Sequence, residues 1–227
     1  EQVAVTGQKI QDGKITDDYR LEKSLPTVKY LLGQNCKIVI CSHLGRPNGI
    51  DASLSLAPVA KRLAKLLDHE VDFVDDCVGA QVTEKVKDLK ARQILMLENL
   101  RFHEEEKAND AVFAQQLTDG IDVLVQDAFG VIHRTDASLV AVTHNVPSVA
   151  GLLVEQEVET ITKAMESPER PLFALVGGAK ISDKIDMLHR LIDLADVVAV
   201  GGAMANTFLL AQGIKIGESL AQKDEIP

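Results

Sequence analysis

The chain has 227 residues, of which 46% are hydrophobic, 26% are charged and 4% are aromatic, and its formal net charge is −10. This composition is that of a globular protein long enough for one large or two modest domains. The acidic balance argues against a general surface for nucleic acid or for an anionic membrane, so any anion site has to be local.

The three cysteines form no C-x-x-C pair, and any bridging scheme leaves one of them unpaired. We therefore expect reduced thiols and a cytoplasmic location. No apolar run is long enough to span a bilayer, and the first residues do not resemble a signal peptide. The chain does not begin with Met, which we interpret as a sign of a trimmed or partial chain.

Short aliphatic runs alternate with amphipathic stretches along the sequence. Because the aliphatic runs are apolar throughout, they predict strands covered on both faces. The stretches between them carry apolar residues near helical spacing, and the alternation is typical of parallel α/β layers. The predicted strands are 37–42, 93–97, 122–126, 172–176 and 196–200, and the predicted helices are 55–67, 110–117, 151–166 and 184–194.

The helix predicted at 151–166 ends before Pro168, because a proline disfavours helical geometry in the residue ahead of it. We interpret this helix as the connection between two domains, which gives a first domain at 1–150, a connector at 151–167 and a second domain at 168–227. The composition does not shift across the helix. The alternative is therefore one more surface helix of a single sheet.

Three of the predicted strands are followed by a loop that carries an arginine, and ligands of open α/β sheets bind beyond the carboxyl ends of strands. The first loop holds His43, Gly45 and Arg46, and the next two hold Arg101 and Arg134. The planar guanidinium binds phosphate or carboxylate oxygens in pairs and keeps its charge. One such arginine is usually a surface ion pair. Three at neighbouring strand ends would form a basic patch for a small polyanion.

A fourth loop follows the strand predicted at 172–176. This strand ends on Gly177 and Gly178 and leads into a predicted helix with Lys180 and Lys184. Paired glycines let the backbone approach an anion, and the N–H groups of a helix start point at it. With the two lysines as sources of charge, the pattern predicts a phosphate site.

Several other polar groups are interpreted as structural. His69, His103, His144 and His189 lack a spacing that suggests a metal, so we expect ordinary polar or surface histidines. The acidic run 104–106 is expected to be a solvated helix start, where negative charge suits the helix dipole. Asp75 and Asp76 are expected to form a turn or a cap rather than a metal site.

Taken together, the motifs resemble phosphoglycerate kinase. They follow the order of that family over nearly the whole chain, at 13–20, 42–47, 55–58, 73–77, 97–103, 127–134, 168–171, 177–184 and 201–204. The resemblance implies two doubly wound parallel-sheet (Rossmann-like) domains joined by a helix, the second incomplete here. It also implies a monomer that binds phosphoglycerate in the first domain and ATP or ADP in the second, across a cleft that closes about the helix.

The resemblance assigns roles to single residues. The residues implied to contact 3-phosphoglycerate or 1,3-bisphosphoglycerate are Arg20, His43, Leu44, Gly45, Arg46, Arg101 and Arg134. The residues implied to hold the nucleotide phosphates are Gly177, Gly178, Ala179, Lys180, Lys184, Gly201 and Gly202. Arg20, which we expect in a loop, and Lys180 would stabilise the transition state of reversible in-line phosphoryl transfer, with Mg²⁺ on the nucleotide.

The sequence departs from the family pattern at several points. A first strand with a substrate-binding Asp and Asn is absent, Gln2 stands at the place of the Asn, and 6–11 look like a small insertion. Asp136 replaces a histidine that would make a minor substrate contact, and Ala203 replaces a glycine. The family's later glycine-rich loop, Mg²⁺-binding Asp and ribose-binding Glu have no counterpart before Pro227.

We therefore expect a fragment that is inactive alone. The alternatives are a phosphoanion-binding module without catalysis and a regulatory fragment that has lost turnover. The retention of Arg20, Lys180 and Lys184 argues against the pure binding module, which needs no groups on a second domain.

Overall fold

A computed structural model describes residues 10–11, 14–15 and 17–225. The chain divides into two compact units, Glu1–Val158 and Glu159–Pro227. Gln2 and most of the insertion expected at 6–11 lie outside the described residues. Within the described part, no helix combines the length and apolar character needed to cross a membrane.

The first half of the first unit contains a three-stranded parallel sheet. Its elements, in chain order, are β1 (Ile10–Gln11), β2 (Lys14–Ile15), α1 (Tyr19–Gly33), β3 (Ile38–Ile40), α2 (Ala57–Leu67), β4 (Asp72–Phe73), α3 (Ala80–Asp88) and β5 (Ile94–Met96). The short strands β1 and β2 pair antiparallel. The parallel sheet has the order β3-β5-β4, with Val39 opposite Leu95. Three parallel strands therefore end on the same side, as a strand-end site requires.

The second half of the first unit adds a parallel strand pair. The elements are α4 (Glu104–Ala108), α5 (Ala111–Leu117), β6 (Leu124–Gln126), β7 (Ser148–Ala150) and the start of α6 (Leu152–Glu166), which continues past Val158 into the second unit. β6 and β7 run parallel, with Leu124 opposite Ser148. The first turn of α6 is fixed by side chains of this unit, since Leu152 N donates to Thr27 Oγ1 at 3.0 Å and Leu153 N to Asp127 Oδ1 at 2.9 Å.

The core of the first unit lies on both faces of the three-stranded sheet. One hydrophobic cluster contains Ile40 and Met96 together with Leu21 and Leu63 of α1 and α2. The other contains Leu95, with Val39 packed against it. Because successive strand side chains point to opposite faces, this division explains why the strands are apolar throughout.

The second unit is smaller. It contains β8 (Phe173–Gly177), α7 (Ile185–Leu194), β9 (Val197–Gly201) and α8 (Gly202–Ala211), and the two strands are parallel. Its buried cluster consists of Val176, Ile181, Leu188 and Met204. The mixed α/β class with parallel sheets is confirmed, and the five predicted strands and four predicted helices are present with small changes of boundary.

The expectation that Arg20 lies in a loop is wrong, because Arg20 is the second residue of α1. Tyr19 N donates to Asp17 Oδ1 at 2.9 Å at the start of this helix. Pro26 lies inside the helix and obscured it in the sequence, since an interior proline usually breaks a helix. Helices α3 and α8 and the strands β4 and β7 were also not predicted.

Candidate functional site

His43 lies three residues after the end of β3 and is buried, with 5% of its surface exposed. Its Nε2 atom is buried and has no hydrogen-bond partner within the described part of the chain. Burial, followed by the positive charges of Arg101, Arg134 and Arg20, lowers the pKa of His43 from 6.5 to about 3. The imidazole is therefore neutral near physiological pH, with three arginines close enough to act on it.

Arg101 lies in a 3-10 turn at Leu100–Phe102, after β5, and is only 6% exposed. Its Nη1 donates to Gly45 O at 2.8 Å, and its Nη2 is 3.7 Å from Asp136 Oδ2. Burial lowers the pKa of Arg101, and the charge of Asp136 opposes this shift. The Nε atom is buried and unpaired as far as the described residues extend. The hydrogen bond from Nη1 thus anchors the guanidinium, while the Nε–H group remains available to a ligand.

The other three predicted arginines differ in exposure. Arg134 is half-buried, and its Nε lacks a partner among the residues that the structure describes. Arg20 is exposed, yet its charge acts on His43. Arg46 is exposed and is not one of the described charges that shift the pKa of His43. The positive charges of Arg20, Arg101 and Arg134 therefore all act on His43.

The loop between His43 and Arg46 has a conformation that requires glycine. Gly45 has a φ of +66°, and a Cβ atom there would lie 3.0 Å from the side chain of Leu54. Leu44, the residue before it, is 2% exposed. The predicted contact residues, buried Leu44 and half-buried Gly45, thus lie beside Arg101, whose Nη1 donates to Gly45 O.

In the second unit, two glycine pairs meet at the ends of β8 and β9. Gly177 and Gly201 are opposite each other in the strand register. Gly202 has a φ of +66°, and a Cβ atom there would lie 3.3 Å from Gly178 O. Met204 N donates to the same carbonyl at 3.0 Å. Gly177 faces open space, since nothing described lies within 4 Å of where its Cβ would be. This arrangement gives a bare stretch of backbone that a ligand can approach.

The expectation that Lys180 and Lys184 lie in the α-helix that follows the glycine pair is wrong. A 3-10 turn occupies Ser182–Lys184, and α7 begins only at Ile185. The exposed Ala179 and Lys180 lie in the preceding loop. The N–H group of Ile181 in this loop donates to Gln222 Oε1 at 2.9 Å.

Lys184 keeps a position that suits its predicted role. A Cβ atom on Gly178 would lie 3.2 Å from Lys184 Cε, so the lysine side chain extends along the glycine turn. Lys184 is half-buried, whereas Lys180 is exposed. The cation beside the backbone turn is therefore Lys184.

The model of the family described as phosphoglycerate kinase matches residues 7–227. The chain belongs to the phosphoglycerate kinase family. It is 47% identical over 219 residues to phosphoglycerate kinase from Moorella thermoacetica and 50% identical over 218 residues to that from Anaeromyxobacter dehalogenans. These alignments cover 96% and 94% of the chain but 56% and 55% of the relatives. The chain thus spans little more than half the length of the curated relatives it matches.

Solved phosphoglycerate kinases have the same fold. The structure from Coxiella burnetii is similar with a TM-score of 0.83 at 37% identity, covering 99% of this chain and 57% of that one. The structure from Pyrococcus horikoshii is similar with a TM-score of 0.82 at 34% identity, covering 95% of this chain and 56% of that one.

One acidic residue of the first unit is placed differently from our expectation. Glu106, predicted in a solvated helix start, is fully buried. Its carboxylate accepts hydrogen bonds from the N–H group of Ser138, at 3.0 Å, and from the Ser138 hydroxyl. Burial raises the pKa of Glu106, and the bonds from Ser138 oppose this shift. This pair has no local signal in the sequence, because its two members are 32 residues apart.

His103 also differs from an ordinary surface histidine. Its Nε2 lies 2.8 Å from Asp76 Oδ1, which also accepts from Cys77 N at 2.7 Å. One possible metal-ligand atom from each of these three residues lies within 4.8 Å of the others. Cys77 is buried, and burial raises the pKa of its thiol. Asp76 lies in the loop between β4 and α3, where it orients His103.

Proposed function

We propose that the protein is a phosphoglycerate kinase, which reversibly transfers a phosphoryl group from 1,3-bisphosphoglycerate to ADP to give 3-phosphoglycerate and ATP. The observation that carries this proposal is the set of buried, unpaired nitrogen atoms of His43, Arg101 and Arg134 in the described structure. An unpaired buried polar group costs about 1 to 3 kcal/mol. An anionic ligand that accepts hydrogen bonds from these groups would recover that cost.

The chemistry of this group fits phosphoglycerate, which carries a carboxylate and a phosphate. Arg101 and Arg134 offer charge-assisted hydrogen bonds, and neutral His43 adds a polar contact without further charge repulsion. The turn at Leu44 and Gly45 brings backbone close to the same ligand. Arg46 is exposed, so we assign it a contact with the outer part of the substrate.

We assign the nucleotide phosphates to the glycine turn of the second unit. The open backbone at Gly177 and the close packing of Gly178 with Gly202 support this assignment, and Gly201 completes the turn. Ala179 would follow the phosphates along the loop, with Lys184 as their cation. Mg²⁺ bound to the nucleotide would neutralise phosphate charge, and we assign it no protein ligand.

The reaction needs no protein base. A β-phosphate oxygen of ADP, already an anion, attacks the phosphorus of the acyl phosphate, and the bond from phosphorus to the carboxyl oxygen breaks as the carboxylate leaves. Negative charge spreads over the oxygens of the moving phosphoryl group. We propose that Arg20 and Lys180 stabilise this charge, since fixed positive groups act most strongly where water is excluded.

Calorimetric titration with 3-phosphoglycerate and with ADP, combined with turnover of the full-length protein in an assay coupled to ATP formation, tests this function. We expect saturable binding of both ligands. We also expect Arg20→Ala to reduce kcat by about 10³-fold, by analogy with other transition-state arginines. Binding of phosphoglycerate without any turnover would instead indicate a binding module.

We further propose that the protein acts on small molecules as a monomer in the cytoplasm, without nucleic-acid or membrane partners. The net charge of −10 argues against nucleic-acid and anionic-membrane partners. The three free cysteines support a reducing compartment. Light scattering on the purified protein tests the monomer, and a dimer mass would contradict it.

A further inference from the structure

Asn99 lies three residues beyond the end of β5 and is fully buried. Its side-chain amide can accept two hydrogen bonds and donate two, and it makes all four. Oδ1 accepts from Leu44 N at 3.2 Å and from Arg101 N at 3.1 Å. Nδ2 donates to Leu44 O at 2.9 Å and to Leu54 O at 3.0 Å. This one side chain therefore joins three separate backbone positions.

These positions belong to the two loops of the anion site. Leu44 lies between His43 and Gly45, and Arg101 Nη1 donates to Gly45 O at 2.8 Å. Asn99 holds both peptide groups of Leu44, and it also holds the backbone of Arg101. The distance between the His43 loop and the Arg101 turn is thus set by the amide of Asn99 together with the guanidinium of Arg101.

The preceding residue holds the far end of the same loop. Glu98 is 6% exposed, and its Oε1 accepts from Leu56 N and from Asn99 N, each at 2.7 Å. Its Oε2 accepts from the Ser55 hydroxyl at 2.6 Å. Residues 98 and 99 therefore clamp the loop from Leu44 to Leu56 at both ends, and the carboxylate of Glu98 fixes the backbone that carries Asn99.

We propose that Asn99 is a positioning residue, which holds His43 at the spacing from Arg101 at which both side chains face the same anion. The proposal rests on the proposed function for the identity of that anion. Aspartate has nearly the shape of asparagine, but it would place an oxygen against the carbonyls of Leu44 and Leu54, where Nδ2 now donates. Asn99→Asp should therefore move the His43 loop while leaving the loop sequence unchanged.

The experiment compares Asn99→Asp with Asn109→Asp in the full chain. Asn109 is the matched control, because its Oδ1 accepts a single backbone N–H, from Ala141 at 3.1 Å, and aspartate preserves that acceptor. We expect Asn99→Asp to weaken 3-phosphoglycerate binding by on the order of 10- to 100-fold in calorimetry, since small misplacements of binding groups have effects of this size. Asn109→Asp should leave the affinity within about twofold.

The second readout is the titration of the His43 ring by NMR, with its signal assigned by comparison with His43→Gln. In the wild type the ring should stay neutral down to about pH 5, because its pKa is about 3. In Asn99→Asp the pKa should rise toward 6.5, as the ring leaves its buried place among the arginines. A variant that is less stable but still folded with His43 in place should keep the wild-type titration of the ring. A changed titration therefore reports a moved His43 loop.

The outcomes separate the two proposals. Unchanged affinity with unchanged His43 titration in Asn99→Asp overturns the positioning role, and so does an equal loss of affinity in Asn109→Asp. If Asn99→Asp does not fold, Asn99→Ser, which keeps one donor and one acceptor, carries the same test with the same criteria. If the wild type does not bind 3-phosphoglycerate but Asn99→Asp still alters the His43 titration, the proposed substrate is wrong and the positioning role stands.

Discussion

The anion site of the first unit and the glycine turn of the second unit are built in opposite ways. His43 and Arg101 are buried, with 5% and 6% of their surface exposed, and a long-range hydrogen bond to Gly45 O holds the guanidinium of Arg101. Gly177 and Lys180 are exposed, and what matters at the turn is the absence of side chains. The first site should therefore be sensitive to charge and donor geometry. The second should be sensitive to added bulk.

The largest effect is expected for Arg101→Lys. Lysine keeps the positive charge but lacks the planar guanidinium. The guanidinium of Arg101 donates to Gly45 O and still has a second N–H donor for a ligand. We expect 3-phosphoglycerate binding to weaken by on the order of 100-fold, or about 3 kcal/mol, in calorimetry. Arg92→Lys is the control, because the exposed Arg92 also donates to a backbone carbonyl, that of Leu32. Equal effects of the two substitutions would contradict a special role of the buried fork.

The next effect concerns pH. His43 has a pKa of about 3 in the folded protein against 6.5 as its ordinary value, so the unfolded chain binds an extra proton between these values. The contribution of neutral His43 to the free energy of unfolding is complete above about pH 6.5 and is lost as the pH falls toward 3. From about pH 6.5 to pH 5 the free energy of unfolding should drop by about 2 kcal/mol from this group alone.

Urea unfolding as a function of pH measures this slope. His43→Gln should make the decline shallower over the same range, because glutamine does not titrate. The same substitution at the exposed His189 is the control for the loss of a histidine. A slope that His43→Gln does not alter would show that the imidazole is not held neutral.

In the second unit, Gly202→Ala tests the close approach of backbone. Gly202 and Gly213 have φ values of +66° and +78°, so alanine strains the backbone at both positions. Only at Gly202 would the added Cβ meet a backbone oxygen, that of Gly178 at 3.3 Å. We expect Gly202→Ala to destabilise the fold by about 1 kcal/mol more than Gly213→Ala and to weaken ADP binding as well. Equal effects in urea unfolding and calorimetry would contradict this reading of the turn.

Gly177→Ala should have the smallest effect on stability. No described atom lies within 4 Å of the added Cβ, so the free energy of unfolding should change by less than about 0.5 kcal/mol. ADP binding should weaken by about tenfold if phosphate lies against this backbone, because the methyl group occupies that space. Unchanged ADP affinity in calorimetry would show that phosphate does not lie against the backbone of Gly177.

The sequence predicted the parts of the molecule that depend on local pattern. Apolar runs such as 93–97 identified strands, because both faces of the sheet are covered. The expectation that ligands bind beyond the carboxyl ends of strands singled out Arg101 and Arg134 as candidates. The strands that they follow, β5 and β6, belong to separate sheets. Helix α1 was missed although its buried residues Leu21, Val28 and Leu32 recur near helical spacing, since Pro26 interrupts the pattern.

The partners of the site residues could not be predicted, because they depend on contacts between distant segments. Nothing near Glu106 in the sequence indicates Ser138, and nothing near Asn99 indicates Leu44. The family resemblance implied which residues contact the ligands. It did not indicate which residues hold those side chains in place. The acceptor that Gln222 offers to Ile181 N likewise comes from 41 residues away.

The central claim is that the buried, unpaired nitrogen atoms of the first unit exist to bind an anionic substrate. NMR of the arginine Nε–H groups during titration with 3-phosphoglycerate tests it most directly. The account predicts saturable shifts of Arg101 and Arg134, whereas Arg62, whose Nε already donates to Asp18 at 2.9 Å, should stay unchanged. Saturation with 3-phosphoglycerate that leaves the signals of Arg101 and Arg134 in place would contradict the account.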